Sequence, residues 1–288
     1  MAGIGICLPE PKTSSASARI DLVGVSARVQ PGQGATTPAL AARAARAALA
    51  AARIEPSEIG LIVVGTTSPD VLWPSTACLV QAELELPMVG SFDLYAAEAG
   101  LLTALTVADR YVRAGTVAAL VIGAESDSQL VRIPSDNGAR QGCAASAVVL
   151  RAGTGEAGIL ASRAGGAPAP DGQSHDSVLL RGLAGSVQDC LASAGLSLDG
   201  IDLVIADQTA PEIMRAWARA ERLPAGRLLL DPERYWQAFV AAPFIALHDA
   251  VLDGRVGEGA TVLLLSCGRG PAWAVACLRW DGGGIRRC

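Results

Sequence analysis

The feature that most constrains this chain is a pattern that occurs twice. Residues 49–70 read LAAARIEPSEIGLIVVGTTSPD and residues 191–212 read LASAGLSLDGIDLVIADQTAPE, an offset of 142 in a chain of 288. At that offset Ile59 matches Ile201, Val63 matches Ile205, Pro69 matches Pro211 and Asp70 matches Glu212. Each copy reads as the end of an Ala-rich helix, a turn and a strand. The runs IGLIVVG and IDLVIAD are continuously apolar, as in strands covered on both faces. Further on, a helix-like stretch at 99–113 falls opposite 241–255, and a strand at 117–123 falls opposite 259–265. Three coincidences at one spacing imply a duplicated α/β fold with mixed sheets. The halves are expected at 1–155 and 156–288, with the Gly/Ala/Pro-rich stretch 151–174 as the loop or linker around their junction. A second such stretch at 29–37 precedes a helix expected over 38–52, built almost wholly of Ala, Arg and Leu. The tail DGGGIRRC is expected to be mobile.

Composition narrows the function classes. Apolar residues make up 51% and charged ones 18%, enough for a large core. Aromatics are only 4%, so packing should rest on Ala, Leu and Val. A net charge of −5 offers no basic face for nucleic acid or for a membrane surface. The opening MAGIGICLPEPK lacks the signal-peptide pattern, and no apolar run is long enough to span a bilayer, so a cytoplasmic location is expected. Seven scattered cysteines without a CxxC pair argue against structural zinc and against a disulfide framework. They read as small buried residues in a reducing compartment. No dinucleotide, P-loop, HExxH or GxSxG motif stands in a supporting context, so neither a metal nor a cofactor is expected.

Specific motifs add a family resemblance. The segments GTTSPDVLWPSTACLVQAELELP (65–87), FDLYAAEAGLLTALTVADRYVRAG (92–115) and ALVIGAES (119–126) resemble ketoacyl-ACP synthase III enzymes of the thiolase superfamily. So do DPERYWQAFVAAPFIALHDAVLDGRV (231–256) and VLLLSCGRGPAWAVACLRW (262–280). The resemblance covers most of 40–150 and 176–280. It implies a thiolase-like five-layer αβαβα sandwich of two similar halves, working as a dimer. It also implies acyl transfer to a Cys thiolate at a helix N-terminus, an oxyanion hole of backbone amides, and decarboxylative condensation with a His and an Asn on the second thioester.

At each catalytic position this chain departs from the family motif. FDLxAACSG reads here FDLYAAEAG, which puts Glu98 at the nucleophile. HQAN reads DQTA, which puts Asp207 at the His and Ala210 at the motif's Asn. RYGNTSAA reads RYWQAFVA, which puts Gln237 at the catalytic Asn. The basic residue after HQAN, which helps meet the carrier's phosphate, corresponds to Glu212; the N-terminal stretch that carries a Trp and an Arg for coenzyme A is shortened, and nothing in 18–29 clearly replaces the Trp. An acylated carboxylate would be a mixed anhydride, far more reactive toward water than a thioester. An ionised Asp207 accepts hydrogen bonds but cannot donate the one an imidazole gives.

The altered residues carry two readings each. Glu98 is a buried general base or anion mimic at a helix start, or a residue that fills a dead pocket and bonds the old oxyanion amides. Glu98 and Asp207 are expected to be neighbours whose mutual repulsion raises one pKa, unless Gln237 and water separate them. Trp73 is either a residue that crosses a dimer interface into the partner's pocket or plain interface packing. Gly268 and Gly270 stand where the family's Gly-rich loop donates an oxyanion amide. His248 is expected to be a partly exposed helix residue, His175 lies at a loop–helix junction, and Cys143 is expected to be buried.

Three functions follow. The leading one is a non-condensing accessory subunit of a ketosynthase heterodimer in polyketide or fatty-acid-type biosynthesis. The second is a re-purposed decarboxylase, acyltransferase, hydrolase or cyclase on an acyl thioester, with Glu98 and Asp207 as acid and base. The third is an acyl-chain binding module. Expected partners are a second subunit and acyl carrier protein or acyl-CoA, with no nucleic acid and no membrane; whether the chain itself turns over stays open.

Overall fold

The computed structural model describes residues 18–25, 36–126, 143–153, 157–268, 270–280 and 282, with the backbone alone over 18–25 and at 237. Ten strands form two five-stranded sheets. The first contains β1 (Ala18–Val25), β2 (Ile59–Gly65), β3 (Gly90–Leu94), β4 (Ala118–Glu125) and β5 (Ala144–Ala152), in the order β1-β5-β4-β2-β3. The second contains β6 (Gly158–Gly166), β7 (Leu203–Ile205), β8 (Leu228–Leu229), β9 (Thr261–Gly268) and β10 (Ala272–Arg279), in the order β6-β10-β9-β7-β8. Each strand of the second sheet holds the place of the strand five earlier in the first. In both sheets three neighbouring strands are parallel and the next is antiparallel. The repeat in the sequence is therefore a repeat of topology.

The helices divide by layer. α1 (Thr37–Ala52) and α2 (Thr76–Glu83) cover the outer face of the first sheet; α4 (His175–Ala194) and α5 (Pro211–Ala220) cover the outer face of the second. α3 (Gly100–Arg113) and α7 (Ala242–Leu252) lie between the sheets, and the short α6 (Pro232–Tyr235) leads toward α7. Residues of α3 and α7 share one core with Val63 and Val121 of the first sheet and Leu264 and Ala276 of the second. The result is a five-layer αβαβα sandwich. The small side chains allow it: a Cβ on Gly65 would lie 2.6 Å from the carbonyl carbon of Gly100, so β2 and α3 meet backbone to backbone.

Local signals set the ends. Thr36 caps α1, its hydroxyl accepting from the amide of Ala39, and Arg53 closes the helix in the left-handed conformation. Ser174 caps α4 in the same way. At the far end of α3 the guanidinium of Arg113 grips both oxygens of buried Asp109 at 2.9 and 3.0 Å and donates to the carbonyl of Ile159 on β6, tying the central layer to the second sheet.

Two expectations need correction. The stretch 151–174 is not simply a linker, because it holds β6, which pairs with β10 along its length. Its glycines misled: Gly165 is small because the indole of Trp273 lies against it, with a Cβ there falling 2.9 Å from Nε1. His248 is fully buried, not partly exposed, because α7 is covered by a sheet on each side. The segment 29–35 and nearly all of the tail lie outside the described residues, as do Cys7 and Cys288. Among the described residues the five cysteines are free thiols, and Cys143 is buried as expected.

Candidate functional site

The site is built where the first sheet hands over to the central helix. β3 ends at Leu94, and 95–99 turn sharply into α3. The amides of Ala99 and Gly100 donate to the carbonyls of Ala96 and Ala97 at 3.1 and 2.9 Å, which closes the turn. Ala97 takes a φ of +46°, a region that a Cβ disfavours. Glu98 follows and is buried at 4% exposure. Ala99, the N-cap of α3, offers no side-chain acceptor to the first turn. Glu98 thus sits two residues before the first residue of α3, at the positive end of that helix.

Asp207 comes from the other half, just past β7. Its Oδ1 accepts from the amide of Thr209 (2.8 Å), the hydroxyl of Thr209 (2.6 Å) and the amide of Ala210 (3.1 Å). Its Oδ2 accepts from the amide of Cys267 on β9 (3.3 Å). The side chain therefore folds the turn ahead of α5 and ties it to β9. Gln208 beside it is buried too, donating to the carbonyl of Ala206 and accepting from the amide of Asp231.

A third carboxylate was not foreseen. Glu125 ends β4 and is fully buried. Its Oε1 accepts from the amide of Thr67 (2.9 Å), and its Oε2 accepts from the hydroxyls of Thr67 (3.0 Å) and Ser68 (2.5 Å). The sequence holds one hint: an acid closing an otherwise apolar strand, AALVIGAE. Burial pushes Glu125 up to about 7, against the pull of its three donors, and the charge of Glu98 adds to the rise. Burial likewise pushes Asp207 up to about 6, with Glu98 again contributing. Glu98 is thus close enough to act on both.

Cys267 adjoins this cluster, buried, with its thiol pushed well above the usual range by burial and by Asp207 and Glu98. It stays protonated at neutral pH and is no thiolate nucleophile. Gly268 fits against the turn: a Cβ there would lie 2.7 Å from the Cβ of Ala97 and 2.9 Å from the amide nitrogen of Glu98. Gly270 lies in an exposed turn at φ +74°, with no other described residue within 4 Å of a Cβ built there, and Arg269 is outside the described residues. Gln237 falls in the 3-10 stretch Trp236–Ala241, its side chain outside the described residues. That stretch meets α3, since a Cβ on Gly100 would lie 3.3 Å from Cγ2 of Val240.

Glu98, Asp207 and Gly268 are thus brought together, while Trp73 is not among them. It stands in the loop between β2 and α2, 87% exposed. Asp93 of β3 fixes the end of that loop by accepting from the amides of Thr76 and Ala77. Among the described residues no set of three or more His, Cys, Asp or Glu side chains is arranged to hold a metal ion, and no helix is long and apolar enough to cross a membrane.

The fold is that of a thiolase-like protein, with Glu98 at the elbow before α3. Comparison with known proteins names the family. Residues 92–168 match the model of 3-oxoacyl-[acyl-carrier-protein (ACP)] synthase III, and residues 191–280 match its C-terminal model. The beta-ketoacyl-[acyl-carrier-protein] synthase III of Rhizorhabdus wittichii is 34% identical, with 96% of this chain and 98% of that protein covered. The enzyme of the same name from Rhodospirillum centenum is also 34% identical, over 91% of this chain and 89% of its own. The crystal structure of 3-oxoacyl-[acyl-carrier-protein] synthase III from Aquifex aeolicus superposes with a TM-score of 0.77 at 27% identity, covering 92% of this chain and 99% of that one. The chain belongs to the 3-oxoacyl-[acyl-carrier-protein] synthase III family.

Proposed function

We propose that this chain is a non-condensing accessory subunit of a ketosynthase III-like heterodimer in polyketide or fatty-acid-type biosynthesis, cytoplasmic, with its two halves meeting at residues 155 and 156. The observation that carries this reading is Glu98. It occupies the elbow at which the family's Cys would take the acyl group, and a carboxylate there cannot hold a stable thioester. Asp207 and Gln237 stand for the His and Asn that would position the second thioester. Asp207 spends both oxygens on the turn before α5 and on β9, which fits a structural use better than a catalytic one.

Support for a partner comes from the surface. Leu72 and Trp73, then Met88 and Tyr95 flanking β3, are large exposed apolar residues. Among the described residues β3 is an edge strand, pairing on one side only, with β2. Such a patch on a folded subunit favours a protein neighbour. The test is co-expression with a Cys-bearing family member from the same host, followed by a condensation assay on acyl-CoA and malonyl-carrier substrates. Activity should require both chains; condensation by this chain alone would sink the reading.

A second reading is favoured by one observation: burial brings Glu125 and Asp207 to titrate near neutral pH. Paired with Glu98, such groups suit acid/base chemistry on an acyl thioester, such as decarboxylation or hydrolysis. In that case Glu98→Gln abolishes turnover and leaves the fold intact; unchanged turnover rules it out.

A further inference from the structure

Cys190 and Cys277 take no part in the elbow or the acid cluster, yet they stand together. Cys190 lies on α4, four residues before its end at Ala194, and Cys277 lies on β10. Both are fully buried in the core between α4 and the second sheet. The Sγ of Cys190 donates to the carbonyl of Ala161 on β6 at 3.4 Å. Ala161 is the residue paired with Cys277 across β6 and β10. The backbone amide of Cys277 reaches the same sulfur, and the two thiols act on each other electrostatically. The helix therefore sets its sulfur down on the sheet beside the second thiol. Cys267 shares this core but is no rival. Its strand, β9, puts Leu263 opposite Cys277, and Cys267 lies four residues beyond, about 13 Å along the strand.

We propose that Cys190 and Cys277 are a latent disulfide, closed by hydrogen peroxide when the end of α4 lifts from the sheet, and that the bond locks α4 to β10.

Packing keeps the pair inert until then. Burial pushes the thiols up, to about 11 for Cys190 and about 12 for Cys277, so the closed state holds no thiolate at neutral pH. Two guanidiniums pull the other way, Arg163 of β6 on Cys190 and Arg279 of β10 on Cys277. Both belong to the sheet and stay in place when the helix moves. The helix end is tied down by an exposed bond, Arg163 donating to the hydroxyl of Ser193. Helix ends are where local opening is cheapest. Once α4 lifts, Cys277 meets water beside Arg279 and its thiolate becomes accessible.

That thiolate attacks one oxygen of the peroxide. An S–O bond forms, the O–O bond breaks, and the departing hydroxide takes up the proton that Cys277 released. As α4 settles back, the sulfur of Cys190 attacks the resulting sulfenic acid. The S–S bond forms, the S–O bond breaks, and hydroxide leaves with the proton of Cys190 as water. Two thiols lose two electrons and two protons, and one peroxide becomes two waters. A small thiol reverses the bond by exchange. The lock needs neither a partner subunit nor turnover.

The experiment treats the full chain with hydrogen peroxide, blocks the remaining thiols with N-ethylmaleimide and maps the digest by mass spectrometry without reduction. A peptide joining Cys190 to Cys277 should dominate, two hydrogens lighter than its parts, and dithiothreitol should split it. Oxidation should raise the thermal midpoint by about 5 °C or more, and Cys190→Ser should abolish that rise. Ser193→Ala, which frees the helix end, should speed the link about two- to tenfold. Mapping of the unaltered chain needs no variant, so it stands even where Cys190→Ser fails to fold. Links dominated by another pair of cysteines, overoxidation of Cys190 and Cys277 without a link, thiols that stay reduced, or a rate unmoved by Ser193→Ala overturn the proposal.

Discussion

Ala97 and Phe239 stand 142 residues apart, and both carry positive φ, +46° and +42°. Each lies just ahead of a central helix, Ala97 before α3 and Phe239 before α7. The elbow of the first half thus has a counterpart in the second, and the two meet where Val240 approaches Gly100. Glu98 and Val240 are the matching residues that follow. One half places an acid after its strained turn and the other an apolar side chain. The strain at Ala97 is of order 1–2 kcal/mol. Ala97→Gly should therefore leave stability unchanged or raised by up to about 1 kcal/mol, while Ala104→Gly inside α3 should cost about 1 kcal/mol or more. Chemical denaturation of both variants checks the contrast.

Gly268 is tied to the same elbow by lack of space. Gly268→Ala should destabilise the chain by about 1–3 kcal/mol, since its Cβ would meet the backbone of Glu98 and the Cβ of Ala97. Gly270→Ala is the control: no atom of the described residues lies in its way, and its φ of +74° opposes the change, at a cost of about 1 kcal/mol. Urea midpoints of the two variants should fall in that order.

Asp207→Ala should cost about 2–4 kcal/mol, because it strips a partner from the buried amides of Thr209, Ala210 and Cys267 at once. Hydrogen exchange at the first turn of α5 should quicken more than at α1.

Stability should fall as pH rises through neutrality. Glu125 and Asp207 have folded pKa values of about 7 and about 6, above their ordinary values of 4.5 and 3.8. The stability tied to each is complete below its ordinary value and is lost as pH climbs through the raised one. For Glu125 alone the loss is roughly 3 kcal/mol. Thermal unfolding between about pH 4 and about pH 8 should show a falling midpoint, and Glu125→Gln should flatten the slope.

The duplicated architecture was legible because buried parallel strands leave unbroken apolar runs, and two such runs with their helices recur at one spacing. The strand β6 was not legible: in 158–166 the small residues that accommodate Trp273 are the same residues that signal a loop. His248 misled because a single helix pattern does not reveal that α7 is covered on both sides. Glu98 and Asp207 stood out as acids within motifs whose neighbours match the family. Glu125 stayed hidden because its meaning depends on Thr67 and Ser68, nearly 60 residues earlier in sequence and joined to it only by the pairing of β2 with β4.

The proposed function requires that this chain work beside a partner that carries the nucleophile. The most direct measurement is native mass spectrometry of the tagged chain purified from its host, coupled to a condensation assay of the same fraction. The expected result is a one-to-one complex with a family member bearing Cys at its elbow, active as purified, and dissociated or weakened by Trp73→Ala without loss of the subunit's own fold. A homodimer of this chain that turns over an acyl thioester unaided would contradict it.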